Sequence, residues 1–187
     1  MDLLHRVQNI LLRPKETWPL IKSEEATIAG VCKPYVITMA AIPAVAQAIG
    51  LLLIGTSVLG ILHKTSITRA LGDAVLSYCV SLAAVCIVAL IINSLAPKFE
   101  SRKNLSRAFA LAAYSWTPAW AAGPLLLIPS LAWLAKLISL YGFYLFYLGL
   151  PILMDTPRDK VSVYFLSTAA LSIIFVGFIF SILALML

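Results

Sequence analysis

Five long apolar stretches, at residues 35–54, 74–95, 108–128, 131–154 and 161–187, are separated by loops whose Lys and Arg residues fall almost wholly on alternate sides. A helix that crosses a bilayer needs about 20 apolar residues, so each stretch is long enough to span. Apolar side chains make up 61% of the 187 positions and charged ones 12%, more hydrocarbon than a soluble fold can hide from water. Runs such as 125–128 and 173–176 are apolar all round, which excludes the alternation of a membrane β-barrel strand. The expected fold is all-α: a polytopic bundle of five transmembrane helices.

The loops set the orientation. Arg6, Arg13, Lys15, Lys22 and Lys33 precede the first stretch; Lys98, Arg102, Lys103 and Arg107 fill the second loop; Arg158 and Lys160 lie in the fourth. The opposite side collects only Lys64 and Arg69, and Lys136 sits inside the fourth stretch. The positive-inside bias predicts a cytoplasmic N-terminus and a C-terminus outside. This topology, together with anionic lipid headgroups, accounts for the net charge of +6, so membrane lipids and not nucleic acid are the expected partners. Charges throughout the first thirty residues leave no h-region, and no signal peptide is expected. Cys32, Cys79 and Cys86 have no framework spacing and read as reduced apolar fillers.

Two regions follow. Residues 1–34 form a cytoplasmic segment in which Leu3, Leu4, Val7, Ile10 and Leu11 recur at helical spacing with Arg6, Gln8 and Asn9 between them. That pattern predicts an amphipathic helix in the headgroup plane. Pro14 then opens a second short helix whose Trp18, Lys15 and Lys22 suit the interface. This collar either anchors the bundle or docks a cytoplasmic protein partner. Residues 35–187 form the transmembrane domain, with the connection at 55–73 read as a flexible segment or short interfacial helix.

Inside the membrane the packing signals are clear. Ala108, Ala112, Ser115, Ala119 and Ala122 line one face of the third stretch, and Ala135, Ser139, Gly142 and Gly149 one face of the fourth, predicting close approach of those helices. Ala40, Ala44 and Ala48 repeat the pattern on the first. Pro118 should free the Tyr114 carbonyl and leave Ser115 or Thr117 to satisfy it; Pro43 should kink the first helix likewise. Lys136 can snorkel to the headgroups or serve a polar cavity. Gln47 and Asn93 each need a partner, and Asp73 reads as a favourable charge at the start of the second helix.

Chemical templates are missing. No nucleophile elbow, no His-Glu-x-x-His and no Gly-rich phosphate loop occurs, and His5 and His63 fall on opposite sides of the membrane. The acids all lie in termini, loops or helix ends. No enzymatic activity, cofactor or metal is expected.

Three stretches occur in a telling order: Leu12-Arg13-Pro14-Lys15-Glu16-Thr17-Trp18, Ala113-Tyr114-Ser115-Trp116-Thr117-Pro118, and Tyr147-Leu148-Gly149-Leu150-Pro151-Ile152-Leu153-Met154-Asp155-Thr156-Pro157. With them the chain resembles the Yip1-domain family, most closely its short bacterial inner-membrane members. The resemblance implies a multi-pass protein of the cell inner membrane and a five-span layout with a cytoplasmic N-terminus. Eukaryotic relatives are associated with Rab-type GTPases through a much longer N-terminal region that is missing here, so that partnership does not carry over. The candidate residues that carry over are Tyr114, Ser115 and Pro118, and Tyr147, Gly149, Pro151 and Asp155. They either pack the bundle or, with Lys136, line a cavity into which Tyr114 and Tyr147 both point. Two functions stay open. One is a non-enzymatic organiser of membrane lipids or partner proteins, with a homo-oligomer allowed; the other is a small transporter, channel or lipid-moving protein with a cavity between kinked helices.

Overall fold

A computed structural model describes residues 3–24, 27–58, 61–63 and 65–186, with side chains described except at 56–58, 61–63 and 179–186. Lys64 and Leu187, invoked above for topology and for the last span, lie outside the described residues.

Two short helices come first, α1 (Leu3–Leu12) and α2 (Pro14–Ser23), with Pro14 in the first turn of α2 where its missing N–H costs nothing. α3 (Ile28–Val31), a π-helical turn at Cys32–Val36 and α4 (Ile37–Leu53) then run as one apolar helix, Ile28–Leu53. It begins seven residues before the expected 35, and the wide turn accommodates Pro34, which has no amide to give the ladder. In the following connection β1 (Thr56–Val58) pairs antiparallel with β2 (Ile61–His63), Thr56 opposite His63, and residues 67–73 already belong to the next helix.

α5 (Ile67–Leu95) is capped by Ser66, whose Oγ accepts from the Arg69 amide at 3.3 Å. Asp73 therefore lies nearly two turns inside α5 and not at its dipole end. α6 (Leu105–Ser115), capped by Asn104, leads into α7 (Thr117–Ala121), then 3-10 turns at Gly123–Leu127 and Pro129–Leu131. α8 (Ala132–Ser139), α9 (Tyr141–Leu153) and α10 (Val161–Met186) complete the chain.

Among the described residues four helical runs are long and apolar enough to cross a membrane: Ile28–Leu53, Ile67–Phe99, Pro129–Leu153 and Val161–Phe178. The stretch 108–128, expected as one span, is broken into α6, α7 and a 3-10 turn. Its prolines are the cause: Pro118 and Pro124 each remove an amide from the ladder within seven residues. As expected, Thr117 repairs the first break, its Oγ1 donating to the Tyr114 carbonyl at 2.7 Å.

α6 is the axis of the core, buried at every position from Ala108 to Ser115. Its alanines admit neighbouring backbones closely, and the expected contact with the fourth stretch is present: a Cβ on Gly142 would stand 2.5 Å from the Ser115 carbonyl oxygen. α4 runs through Pro43, and a Cβ on Gly123 would meet the Pro43 nitrogen at 2.7 Å. The collar packs into the bundle. Trp18 and Ile10 are 0% exposed and belong to the same core as α6 and α9, because Gly149 leaves a slot on α9 in which the indole sits. A Cβ there would approach the Trp18 ring to 2.7 Å.

Candidate functional site

α5, α6, α9 and α10 diverge around a cavity of about 370 Å³ whose wall includes Val88, Ser115, Gly142, Phe146, Thr168 and Ser172. The wall is mostly hydrocarbon, but Ser115 Oγ, Thr168 Oγ1 and Ser172 Oγ are buried and have no hydrogen-bond partner among the described residues. Thr168 and Ser172 stand four apart on α10, hence on one face; Ser115 ends α6 opposite them. A buried hydroxyl left unpaired costs about 1–3 kcal/mol, so three around one space are a strong chemical feature. The size lies in the range of small-ligand sites. An occupant with an aliphatic body and a hydrogen-bonding group matches both the apolar walls and the hydroxyls.

A second recess, about 240 Å³, lies where α1, α2 and the start of the first long helix meet Tyr114. Arg6, expected on the polar side of α1, points instead into the protein and is 8% exposed, because it shares a face with Ile10 one turn on. Its Nη2 donates to both Glu24 carboxylate oxygens at 2.6 and 2.7 Å, and its guanidinium lies 5.7 Å from the centre of the Tyr114 ring. Below it the Tyr35 and Thr117 hydroxyls are 2.6 Å apart. Since Thr117 gives its proton to the Tyr114 carbonyl, Tyr35 is the donor in that pair. A third, smaller space of about 170 Å³ between α4 and α5 is lined by Pro43 and Gln47 and closed by Trp116 and Trp120.

The residues named from sequence scatter over these features. Tyr114 borders the Arg6 recess and Ser115 the bundle cavity. Tyr147 does not join Tyr114: it is 40% exposed on the outside of α9, its ring edge-on to Phe165 of α10. Lys136 is exposed on α8 and lines none of the three spaces. Pro118 is buried in α7, and Pro151 lies within the last turns of α9. Gly149 receives Trp18, so the first and third sequence stretches meet at that point.

Asp155 has a structural part. In the left-handed region at φ 54, it receives Lys22 Nζ of α2 and, at 3.1 Å, Arg107 Nη1 of α6. The Lys22 hydrogen bond, followed by the charges of Lys22, Arg107 and Arg102, holds its carboxyl below the ordinary value of 3.8. A depressed folded pKa stabilises at every pH above the unfolded value, and the contribution disappears as pH falls through the window beneath it. Asp155→Asn is thus expected to lower the melting temperature at pH 7, and by less and less as the pH is taken down below the unfolded value, measured by circular dichroism in detergent. A loss that stays the same throughout would remove the carboxylate charge from the explanation.

Sequence reasoning passes over Arg6 as a solvated residue, and it passes over Glu24, Thr168 and Ser172. The last pair carries a signal: two hydroxyls one turn apart in a helix that has no charged residue.

The Yip1 domain family matches residues 9–180. The chain is 30% identical over 176 residues to the inner membrane protein YohC of Escherichia coli K12, covering 91% of this chain and 90% of that one. The YohC of Escherichia coli O6:H1 is similar to the same extent. No solved structure matches. The chain belongs to the Yip1-domain family, as an integral membrane protein.

Proposed function

We propose that this protein is a non-enzymatic multi-pass protein of the inner membrane that organises membrane lipid by holding one lipid-like amphiphile inside its bundle. Its N-terminus is cytoplasmic and its C-terminus outside. That topology takes α6, α7 and the 3-10 turn together as a fifth, broken crossing, with the collar of α1 and α2 at the cytoplasmic face. The observation that carries the reading is the set of three unpaired hydroxyls around one largely apolar cavity. Inside a bilayer such groups find few alternative partners. The name of the relatives in Escherichia coli supports the location. The transport reading draws on the space of about 170 Å³ beside Pro43 and Gln47, around which no unpaired hydroxyl is found among the described residues.

The test turns on a sign. In delipidated protein Thr168→Val and Ser172→Ala each remove an unpaired hydroxyl and should stabilise by about 1 kcal/mol. In protein purified with its native lipid the same changes break a hydrogen bond to the occupant and should destabilise by about as much. Melting temperatures in the two preparations, with bound lipid counted by mass spectrometry, decide it. Stabilisation of equal size in both would overturn the reading.

A further inference from the structure

The Arg6 recess is separate from the bundle cavity and has a different chemistry. Among the described residues Arg6 Nη1 is buried without a partner, and the side chain as a whole is 10% exposed. Its Nη2 is saturated by Glu24, and the Tyr114 ring lies beneath the guanidinium at 5.7 Å. Among the described residues one strong donor of Arg6, a side chain that lines the recess, therefore has nothing to receive it. The carboxylate of Glu24 is half exposed, its side chain 49% accessible, and keeps free lone pairs on the same recess. A simple anion would satisfy Arg6 but meet the Glu24 charge; a simple cation would do the reverse. What fits both is a zwitterion carrying an acceptor oxygen for Nη1 and an ammonium for Glu24.

We propose that the recess bounded by Arg6, Glu24, Tyr35 and Tyr114 binds the phosphate-and-ammonium group of a phosphoethanolamine. Arg6 Nη1 donates to a phosphate oxygen and the ammonium donates to Glu24. Both contacts are charge-assisted. The group can arrive as the headgroup of a phosphatidylethanolamine or as the free phosphomonoester. The inference goes beyond the function proposed above and does not depend on the bundle cavity.

The full-length protein in detergent is titrated with dioleoyl phosphatidylethanolamine and dioleoyl phosphatidylglycerol, binding being counted by native mass spectrometry, with free O-phosphoethanolamine as competitor. The ethanolamine lipid should bind about tenfold or more tightly than the glycerol lipid, the weight of one charge-assisted hydrogen bond. Glu24→Gln should bring the two lipids together, and Arg6→Gln should weaken both by about tenfold or more. Gly30→Leu narrows the recess it lines, its Cβ pressing on Thr27 Oγ1 at 2.8 Å, while both partners of the Arg6–Glu24 pair are kept; it should also weaken both and serves if Arg6→Gln does not fold. Displacement by the free phosphomonoester identifies the group alone as the ligand, whereas selective lipid binding that it cannot displace identifies the headgroup of an anchored lipid. Equal affinity for the two lipids in the wild type, or selectivity unchanged by Glu24→Gln, overturns the proposal. Thr168→Val should leave headgroup selectivity intact, so failure here and failure of the bundle-cavity reading are distinguishable.

Discussion

Trp18→Ala should destabilise the bundle by about 3–5 kcal/mol, although the residue precedes the first membrane-spanning helix. The indole is 0% exposed, edge-on to Tyr114 at 6.3 Å between ring centres, and seated against the Gly149 slot. Removing it leaves a void bounded by α2, α6 and α9, the elements that Lys22, Arg107 and Asp155 also tie together. The reciprocal change, Gly149→Ala, brings a methyl within 2.6 Å of Leu111 Cδ1 and 2.7 Å of the Trp18 ring. Leu111 can rotate but a packed indole cannot, so the cost is about 1–3 kcal/mol. When Gly149→Ala is combined with Trp18→Ala, the ring is gone and the added methyl fills space. The double variant should therefore cost less than the two singles together by about 1–2 kcal/mol. Thermal unfolding of the four proteins in one detergent measures this coupling; losses that add to within about 0.5 kcal/mol would mean that the indole and Gly149 do not share a space. For the same reason deletion of α1 should not leave the bundle intact: it removes Ile10, and with it the Leu11 carbonyl that accepts from the Tyr141 hydroxyl at 3.0 Å.

The membrane class is plain in the sequence because the pattern of apolar length has few structural solutions in a bilayer. The small-residue stripes are legible too: Gly142 and Ser115 meet as their spacing requires. Residues whose role depends on a distant partner are not legible. Trp18 reads as an interfacial aromatic until Gly149 is brought to it from 131 positions away, and Arg6 reads as a solvated cation until α1 is seen to turn that face inward. The stretch 108–128 misleads for a different cause. Hydropathy sums over Pro118 and Pro124 without registering that each removes an amide from the hydrogen-bond ladder, so a broken apolar run reads as one helix. The same blindness to pairing makes Tyr114 and Tyr147 look alike. One faces Arg6 within the protein, while the other packs against α10 on the outside.

Gly142→Val should cost at least about 1–3 kcal/mol, and this loss should be accompanied by a change in what the cavity holds. The added Cβ would stand 2.5 Å from the Ser115 carbonyl oxygen, an atom that cannot rotate aside, so α9 must move off α6. Both residues border the bundle cavity, and separation of their helices displaces Ser115 Oγ from Thr168 and Ser172 on the far wall. An amphiphile held as proposed above would lose one of its hydrogen-bond partners even though no hydroxyl has been removed. The control has the opposite sign. Gly72 lies in the interior of α5, and a methyl added there would meet nothing within 4 Å, so Gly72→Ala should gain about 0.5–1 kcal/mol from helix propensity alone. Unfolding of both variants, with lipid counted in each, separates a general response to a bulkier residue from the specific consequence of parting α6 and α9. If Gly142→Val retains its full complement of lipid while losing stability, the cavity does not depend on the α6–α9 contact, and Ser115 is no part of the binding wall.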